Sequence, residues 1–378
     1  MDTPYWVYRW IYKAPGHHAL ALATLGFCGI RTVRKTVFGP VIRSTSAQRM
    51  GWVVQTRNLG RRLAQGPLTA WQRRLDKATA WLRAMRLQFY PMTWIAYSVG
   101  ALAAVRFQGG LDVPRFWIGY LFLFFLELAT VLSNEYFDYE SDRRNTYVGP
   151  FNGGSRVLVE GILSFQAVRA GIFRALALAL LCAGLLLIFT PVPSIPFTVS
   201  VVILGVLALG YTVPPLKLSH RGLGEVEVAV THSVGVMICG CVVQGGDWHD
   251  PLSWLLGLPL LISVLPAIIL SGIPDAEADR MANKQTLVVK LGRVWAVRLA
   301  MGCTVLAASL AVIWHGTGFI RAAYHDAIYV VVPHAVILLW MLKQYLKASA
   351  PPGRINRLML VSLSYILWFG LIAWLRLA

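Results

Sequence analysis

Nine apolar stretches, each near the length an α-helix needs to cross a hydrocarbon core, leave this chain few folds to adopt. They fall at about 89–105, 116–137, 172–190, 195–213, 224–243, 252–273, 294–313, 326–346 and 357–375, against a requirement of ~20 residues. In lipid a backbone N–H or C=O finds no water, so only helices and closed barrels satisfy it. The runs lack the apolar–polar alternation of barrel strands. The expected fold is an all-α polytopic membrane protein with about nine transmembrane helices. Only 14% of residues are charged, against ~25% in soluble domains, which argues against a soluble globular enzyme.

So apolar a chain nevertheless has a formal charge of +18, and the position of that charge decides its meaning. Residues 1–88 hold fifteen of the 35 Lys and Arg but only two of the 17 acids, Asp2 and Asp76. The expected organisation is a basic extension over 1–88 and a membrane domain over 89–378. Trp71, Leu75, Ala78 and Leu82 recur at helical spacing among Arg73, Arg74, Lys77 and Arg83, the pattern of a helix on an anionic membrane surface. A solvated tail and a mitochondrial transit peptide are the competing readings. The apolar run His18–Ile30 is too short to span. Nothing here resembles a nucleic-acid surface, so the expected partner is the bilayer.

Loop charges set the orientation. With the extension in the cytoplasm, the loops after the second, fourth, sixth and eighth segments carry fourteen Lys and Arg, and the opposite loops four (Arg106, Arg115, Arg321, Arg376). That asymmetry is the positive-inside bias. The expected location is an integral multi-pass site in a bacterial inner membrane, or an organelle membrane in a eukaryote, with the functional end facing the cytoplasm. Five cysteines, Cys28, Cys182, Cys239, Cys241 and Cys303, lie in apolar stretches with neither a disulfide framework nor zinc spacing.

Acids at membrane depth are functional candidates because they are expensive there. Asn134-Glu135-Tyr136-Phe137-Asp138-Tyr139-Glu140-Ser141-Asp142 closes the second segment. Asn134, Asp138 and Asp142 are four apart and share one face of a continuing helix. Glu127 falls near the same stripe, with a cavity role and a structural hydrogen bond equally open. After the sixth segment, Asp275 and Asp279 repeat the spacing. Two such pairs on one side form an oxygen-rich site for a hard divalent cation, and magnesium suits it best. Arg143, Arg156, Lys217, Arg221, Arg280 and Lys284 lie nearby. Acids for a metal and bases for an anion describe a site for a diphosphate with a lipid tail. The loop Gly149–Arg156 could face an anion with its amides, or be a plain turn. Helix-end acids that merely face water are the competing reading. His232 and His334, inside apolar segments, are expected to be packed and hydrogen-bonded.

These residues resemble the UbiA superfamily of intramembrane prenyltransferases over about 89–378. The first family motif, N-D-x-x-D-x-x-x-D, appears as Asn134-Glu135-x-x-Asp138-x-x-x-Asp142, with Glu135 in place of aspartate. The second appears as Asp275-x-x-x-Asp279, running on through Arg280, Asn283, Lys284, Thr286 and Gly292. The resemblance implies nine helices around a central cavity, with a cytoplasmic active site and magnesium as cofactor. It implies transfer of a prenyl group from an allylic polyprenyl diphosphate to an aromatic acceptor. Asn134, Asp138, Asp142, Asp275, Asp279 and Tyr211 would be catalytic. Glu135 and the four aspartates would hold metal, and Arg143, Arg156, Lys217, Arg221 and Lys284 would bind diphosphate. Tyr136, Phe137, Tyr139 and Tyr211 would offer faces to an allyl cation. Lys217 lies six residues after Tyr211 and is followed by Arg221-Gly222-Leu223-Gly224-Glu225. That run looks like the 1,4-dihydroxy-2-naphthoate branch of quinone biosynthesis, the menaquinone type. The rival readings are another acceptor (4-hydroxybenzoate, homogentisate, a tetrapyrrole, a phosphosugar), a terpene cyclase of this fold, and a cation-coupled transporter.

Overall fold

The computed structural model describes residues 53–54, 70–106, 110–189, 194–320, 323–348 and 355–378. The apolar run at 18–30 and the side chains of Trp71 and Leu75 lie outside the described residues. Asp76–Ala378 forms a compact unit, and the description below concerns that unit.

The helices are α1 (Ala70–Met85), α2 (Tyr90–Val105), α3 (Val113–Phe137), α4 (Tyr139–Arg144), α5 (Phe165–Phe189) and α6 (Ser194–Gly210). There follow α7 (Gly224–Val230), α8 (Val236–Val243), α9 (Pro251–Ser271), α10 (Ala276–Met281), α11 (Leu287–Gly316), α12 (Val331–Lys347) and α13 (Asn356–Leu377). No strand occurs among the described residues; Gly149 and Asn152 form an isolated bridge.

Local chemistry sets the helix starts. Asp112 Oδ1 accepts the Arg115 N–H at 3.0 Å at the start of α3. Asp250 Oδ1 accepts the Leu252 N–H at 3.1 Å before α9, and Thr286 Oγ1 accepts the Val289 N–H at 3.3 Å before α11. Each cap satisfies a donor the helix cannot. Proline follows the cap in α3 and α9, where its missing N–H costs nothing. Gly292, at φ 75°, breaks α11 near its start.

Among the described residues, seven continuous helical stretches, with Gly224–Val243 and Asp326–Lys347 each counted whole, are long and apolar enough to cross a membrane. The run at 89–105 folds as α2, with 16 residues, and that at 195–213 as α6, with 17. Both are shorter than the ~20 residues of a perpendicular span, so the expected nine is not reached by length. Beyond Gly210 the chain meets Pro214 and Pro215, which cannot donate to a continuing helix.

The expected helix 224–243 is interrupted. Thr231–Gly235 forms a π-helical turn between α7 and α8. Thr231 and Ser233 donate their hydroxyls to the carbonyls four residues back, Glu227 O at 2.9 Å and Ala229 O at 2.5 Å. Such bonds compete with the helical ladder, and π-turns of this kind concentrate at functional sites.

Helix α3 packs along α5, α8 along α2, α9 along α11 and α13, and α13 against α2. Small residues let α2 and α8 meet closely: a Cβ on Gly240 would lie 2.1 Å from Tyr97 O. The second half of α1 buries Ala80 and Ala84 against Leu132, Val157 and Val168.

The connecting loops meet at two ends. At one end His220 approaches Asp138 (3.8 Å), the Gln285 N–H donates to His220 O (3.2 Å), and Arg293 donates to Ala348 O (3.2 Å). At the other, Asp112 N–H donates to Gln244 Oε1 at 2.9 Å. Of the bases expected together, Arg354 lies outside the described residues, as does Arg321 of the opposite set.

Candidate active site

Helical hydrogen bonding continues through the α3–α4 junction. Asp138 N–H donates to Asn134 O, and Asp142 N–H to Asp138 O, both at 2.9 Å. Asn134, Asp138 and Asp142 therefore share a face, as their spacing predicts, and all three line a cavity of about 240 Å³. Asp275, just before α10, lines the same cavity, and the Asp279 N–H donates back to its carbonyl at 2.8 Å. Ser141 Oγ donates to Asp279 Oδ1 at 2.5 Å, tying α4 to α10. Lys284 Nζ lies between the motifs, 2.6 Å from Asp138 Oδ2 and 3.8 Å from Asp279 Oδ1.

The glycine loop is drawn onto these acids. Asp275 Oδ1 accepts from Asn145 Nδ2 at 2.6 Å and Asn152 Nδ2 at 3.3 Å, and its Oδ2 accepts the Gly153 N–H at 3.2 Å. The Ser155 N–H donates to Glu135 Oε2 at 3.0 Å. Gly154, at φ +68°, leaves no room for a side chain, since a Cβ there would lie 2.1 Å from Asp142 Oδ2. The Gly153 and Ser155 amides thus serve the protein's own carboxylates instead of facing outward as an anion cradle.

Burial shapes the electrostatics. It pushes the Asp142 carboxyl well above its ordinary value, and Asp138 and Glu135 push it further. Burial also raises Asp275, against its Gly153 amide bond. Asp279 is pushed up to about 6 by burial, against the opposing pull of Lys284 and the Ser141 hydrogen bond. For Lys284 burial favours the neutral amine, but Asp138 and Asp279 outweigh it and hold the ammonium well above its usual range. Burial lowers His220. Asp138 Oδ1 is buried without a hydrogen-bond partner.

Four aspartates around one ammonium leave an excess of negative charge that a divalent cation would relieve. Among the described residues no three Asp, Glu, His or Cys side chains converge into a ready metal cage. Magnesium does not need one, since one or two carboxylates suffice when water and substrate phosphate complete its shell. The unpartnered Asp138 oxygen and the Asp142 carboxylate fit that requirement.

Of the other residues singled out by sequence, Tyr211 and Lys284 line the cavity, whereas Glu135, Arg143, Arg156, Lys217 and Arg221 do not. Arg143 turns to Glu140 at 2.8 Å and to the Tyr139 ring. Arg156 donates to Asp142 O at 2.7 Å and Arg221 to Pro215 O at 2.8 Å. Tyr136 and Tyr139 pack on Phe165, with ring centroids 5.4 and 5.0 Å away; with Phe137 they are off the cavity wall. Phe89 and Phe151 supply aromatic lining instead, and Arg86 joins it as a basic group. Sequence reasoning left Arg86 in the extension, with no signal to separate it from its basic neighbours. His334 is packed as expected, accepting from Trp368 Nε1 at 2.9 Å.

An all-helical membrane bundle with two aspartate motifs brought together at one end of a shared cavity defines an intramembrane enzyme. Comparison with known proteins identifies the class. Residues 93–374 match the UbiA prenyltransferase family. The chain is 30% identical to the lycopene elongase/hydratase of Corynebacterium glutamicum over 61% of its own length and 76% of that protein's. It is 26% identical to the 1,4-dihydroxy-2-naphthoate octaprenyltransferase of Escherichia coli, over 60% of this chain and 73% of the other. In fold it is similar to a UbiA homologue from Archaeoglobus fulgidus bound to GPP and Mg2+. That match has a TM-score of 0.52 and 16% identity, over 78% of this chain and 99% of that one. The chain belongs to the UbiA prenyltransferase family and is a prenyltransferase.

Proposed function

We propose that this protein transfers a polyprenyl group from an allylic diphosphate to a ring carbon of an aromatic acceptor in quinone biosynthesis of the menaquinone type, using magnesium. The observation that carries the reading is the meeting of Asp138, Asp142, Asp275 and Lys284 on the wall of one cavity, with Asp279 3.8 Å from the Lys284 ammonium. The relative that prenylates 1,4-dihydroxy-2-naphthoate supports the acceptor class. The magnesium-bound homologue of the same fold supports the metal.

Asp138, Asp142 and Asp279 would hold magnesium, with Asp275 fixing the glycine loop behind them. Bound there, magnesium neutralises charge developing on the leaving diphosphate. Lys284 binds a diphosphate oxygen by a charge-assisted hydrogen bond, and Arg86 adds a second cation. Asn134 orients the reacting carbon. Tyr211, Phe89 and Phe151 present π faces to the allyl cation, and the apolar wall excludes the water that would quench it. The basic end faces the cytoplasm. The prenyl chain remains in lipid.

Purified protein given magnesium, geranyl diphosphate and a panel of aromatic acids tests this. Magnesium-dependent prenylation of 1,4-dihydroxy-2-naphthoate is expected; diphosphate release indifferent to EDTA, with no acceptor modified, refutes it. A second reading, a polyene acceptor, has the lycopene elongase relative in its favour. Lycopene belongs in the same panel.

A further inference from the structure

Below the aspartates the cavity ends in a second polar cluster that the diphosphate chemistry does not use. Glu127 lies eleven residues before Asp138 on α3, ~16 Å along the helix, close to the middle of a membrane span. It is only 9% exposed, and its Oε2 is buried with no hydrogen-bond partner. His232 Nε2, from the π-helical turn, stands 3.7 Å from Glu127 Oε1. Glu227, 7% exposed, lines the same end with Thr231. Thr93 Oγ1 on α2 also lines it and is likewise without a partner. Polar groups this deep are costly unless satisfied. Here the unsatisfied ones converge on one space.

The hydrogen-bond inventory indicates what fills it. His232 Nδ1 lies 3.1 Å from Val228 O. Thr231 Oγ1 lies 3.1 Å from the same nitrogen, and Nε2 faces Glu127 Oε1 at 3.7 Å, so His232 stands as the ion-pair partner of that oxygen. That leaves Glu127 Oε2 as the buried acceptor without a partner. A ligand here must donate. A carboxylate would face Glu127 with like charge, and a hydrocarbon would leave it unpaired. A hydroxyl donates to Glu127 Oε2 and satisfies it.

We infer that Glu127 and His232 form the subsite that holds a hydroxyl of the acceptor, selecting a hydroxylated ring bound with its hydroxyl at mid-membrane and its reacting carbon toward the aspartates. The inference rests on the prenyl-transfer reading above. It also assigns the proton path. As the donor C–O bond breaks, its electron pair leaves on diphosphate, and a ring π pair forms the new C–C bond. The hydroxyl proton passes to Glu127 while an oxygen lone pair feeds the ring. The proton on the alkylated carbon then goes to the departing diphosphate, and Glu127 returns its proton to the oxygen as aromaticity is restored.

The test uses the full-length chain in detergent with magnesium and geranyl diphosphate. Its acceptors are 1,4-dihydroxy-2-naphthoate, the corresponding dimethyl ether, and lycopene. In Glu127→Leu the kcat/KM for the dihydroxy compound should fall at least about tenfold, the loss expected for a hydrogen bond to a charged group. The KM for geranyl diphosphate should stay within about twofold, which a merely structural defect would not spare. Glu127→Gln, which keeps the shape but loses the charge, should fall between. Wild-type protein should neglect the ether. Unchanged kinetics in Glu127→Leu, or wild-type prenylation of the ether or lycopene as fast as of the dihydroxy compound, overturns the subsite while prenyl transfer stands. If wild type prenylates no acceptor at all, the prenyl-transfer reading fails and takes the subsite with it.

Discussion

Asp138 stands where α3 hands over to α4, and its two oxygens have different surroundings: Lys284 holds one at 2.6 Å, and the other is buried without a hydrogen bond. A buried oxygen without a hydrogen bond beside three more aspartates is suited to a cation. Asp138→Asn keeps the shape and removes the charge, and should lower magnesium-dependent turnover by about 10²–10³-fold, measured as prenylated product per enzyme. Gly154→Ala tests the same centre from behind. Its Cβ would meet Asp142 Oδ2 at 2.1 Å from a φ of +68°, so the carboxylate must move. The magnesium needed for half-maximal activity should rise about tenfold or more. Protons compete for these oxygens as well. With Asp279 pushed up to about 6 by burial, the metal-free carboxyl is protonated below that value and ionised above it. Magnesium must then displace a proton on the acid side. The half-maximal magnesium concentration should therefore climb as pH falls through about 6 and flatten on the alkaline side, read from magnesium titrations at stepped pH.

Between elements, the closest approach is that of α2 and α8, where backbone nearly touches backbone. Gly240→Val would drive its Cβ against Tyr97 O, 2.1 Å away, and neither helix backbone yields as a flexible side chain does. A loss of about 1–3 kcal/mol or more is expected, visible as a lower thermal midpoint in detergent. Alternation and spacing reveal elements of this kind only up to a point. The i, i+4 aspartate pairs were legible because a helix repeats every 3.6 residues, and both pairs fall on single faces. The π-helical turn at Thr231–Gly235 was not, because an apolar run looks the same whether its ladder is regular or interrupted. The turn aims His232 at Glu127, so a residue that reads as packed lies on the cavity wall.

At the scale of the membrane unit, the described loops around His220, Gln285 and Ala348 gather at the end that holds the aspartates, and Asp112 and Gln244 join loops at the other. With the basic end in the cytoplasm, Tyr147→Cys and Asn283→Cys should react with a membrane-impermeant maleimide from the cytoplasmic face only. Asp247→Cys and Thr317→Cys should react from the opposite face; labelling in inside-out and right-side-out vesicles distinguishes the two.

From its sequence alone the chain was committed to a helical bundle in a membrane, because twenty-residue apolar runs have no other way to satisfy their backbone there. Its aspartates were committed to helix faces, because that is a matter of short-range spacing. Which bases stand beside the acids was decided only by the tertiary structure. Lys284 reaches Asp138 across 146 residues of chain, whereas Arg143, much nearer in sequence, turns to Glu140, and Arg156 reaches the backbone carbonyl of Asp142 and not its carboxylate. Likewise Glu135 binds the Ser155 amide instead of facing the cavity, and Glu127 meets His232 across more than a hundred residues. Periodicity acts along one helix, but a site is made where several helices converge, and their packing decides which side chains meet.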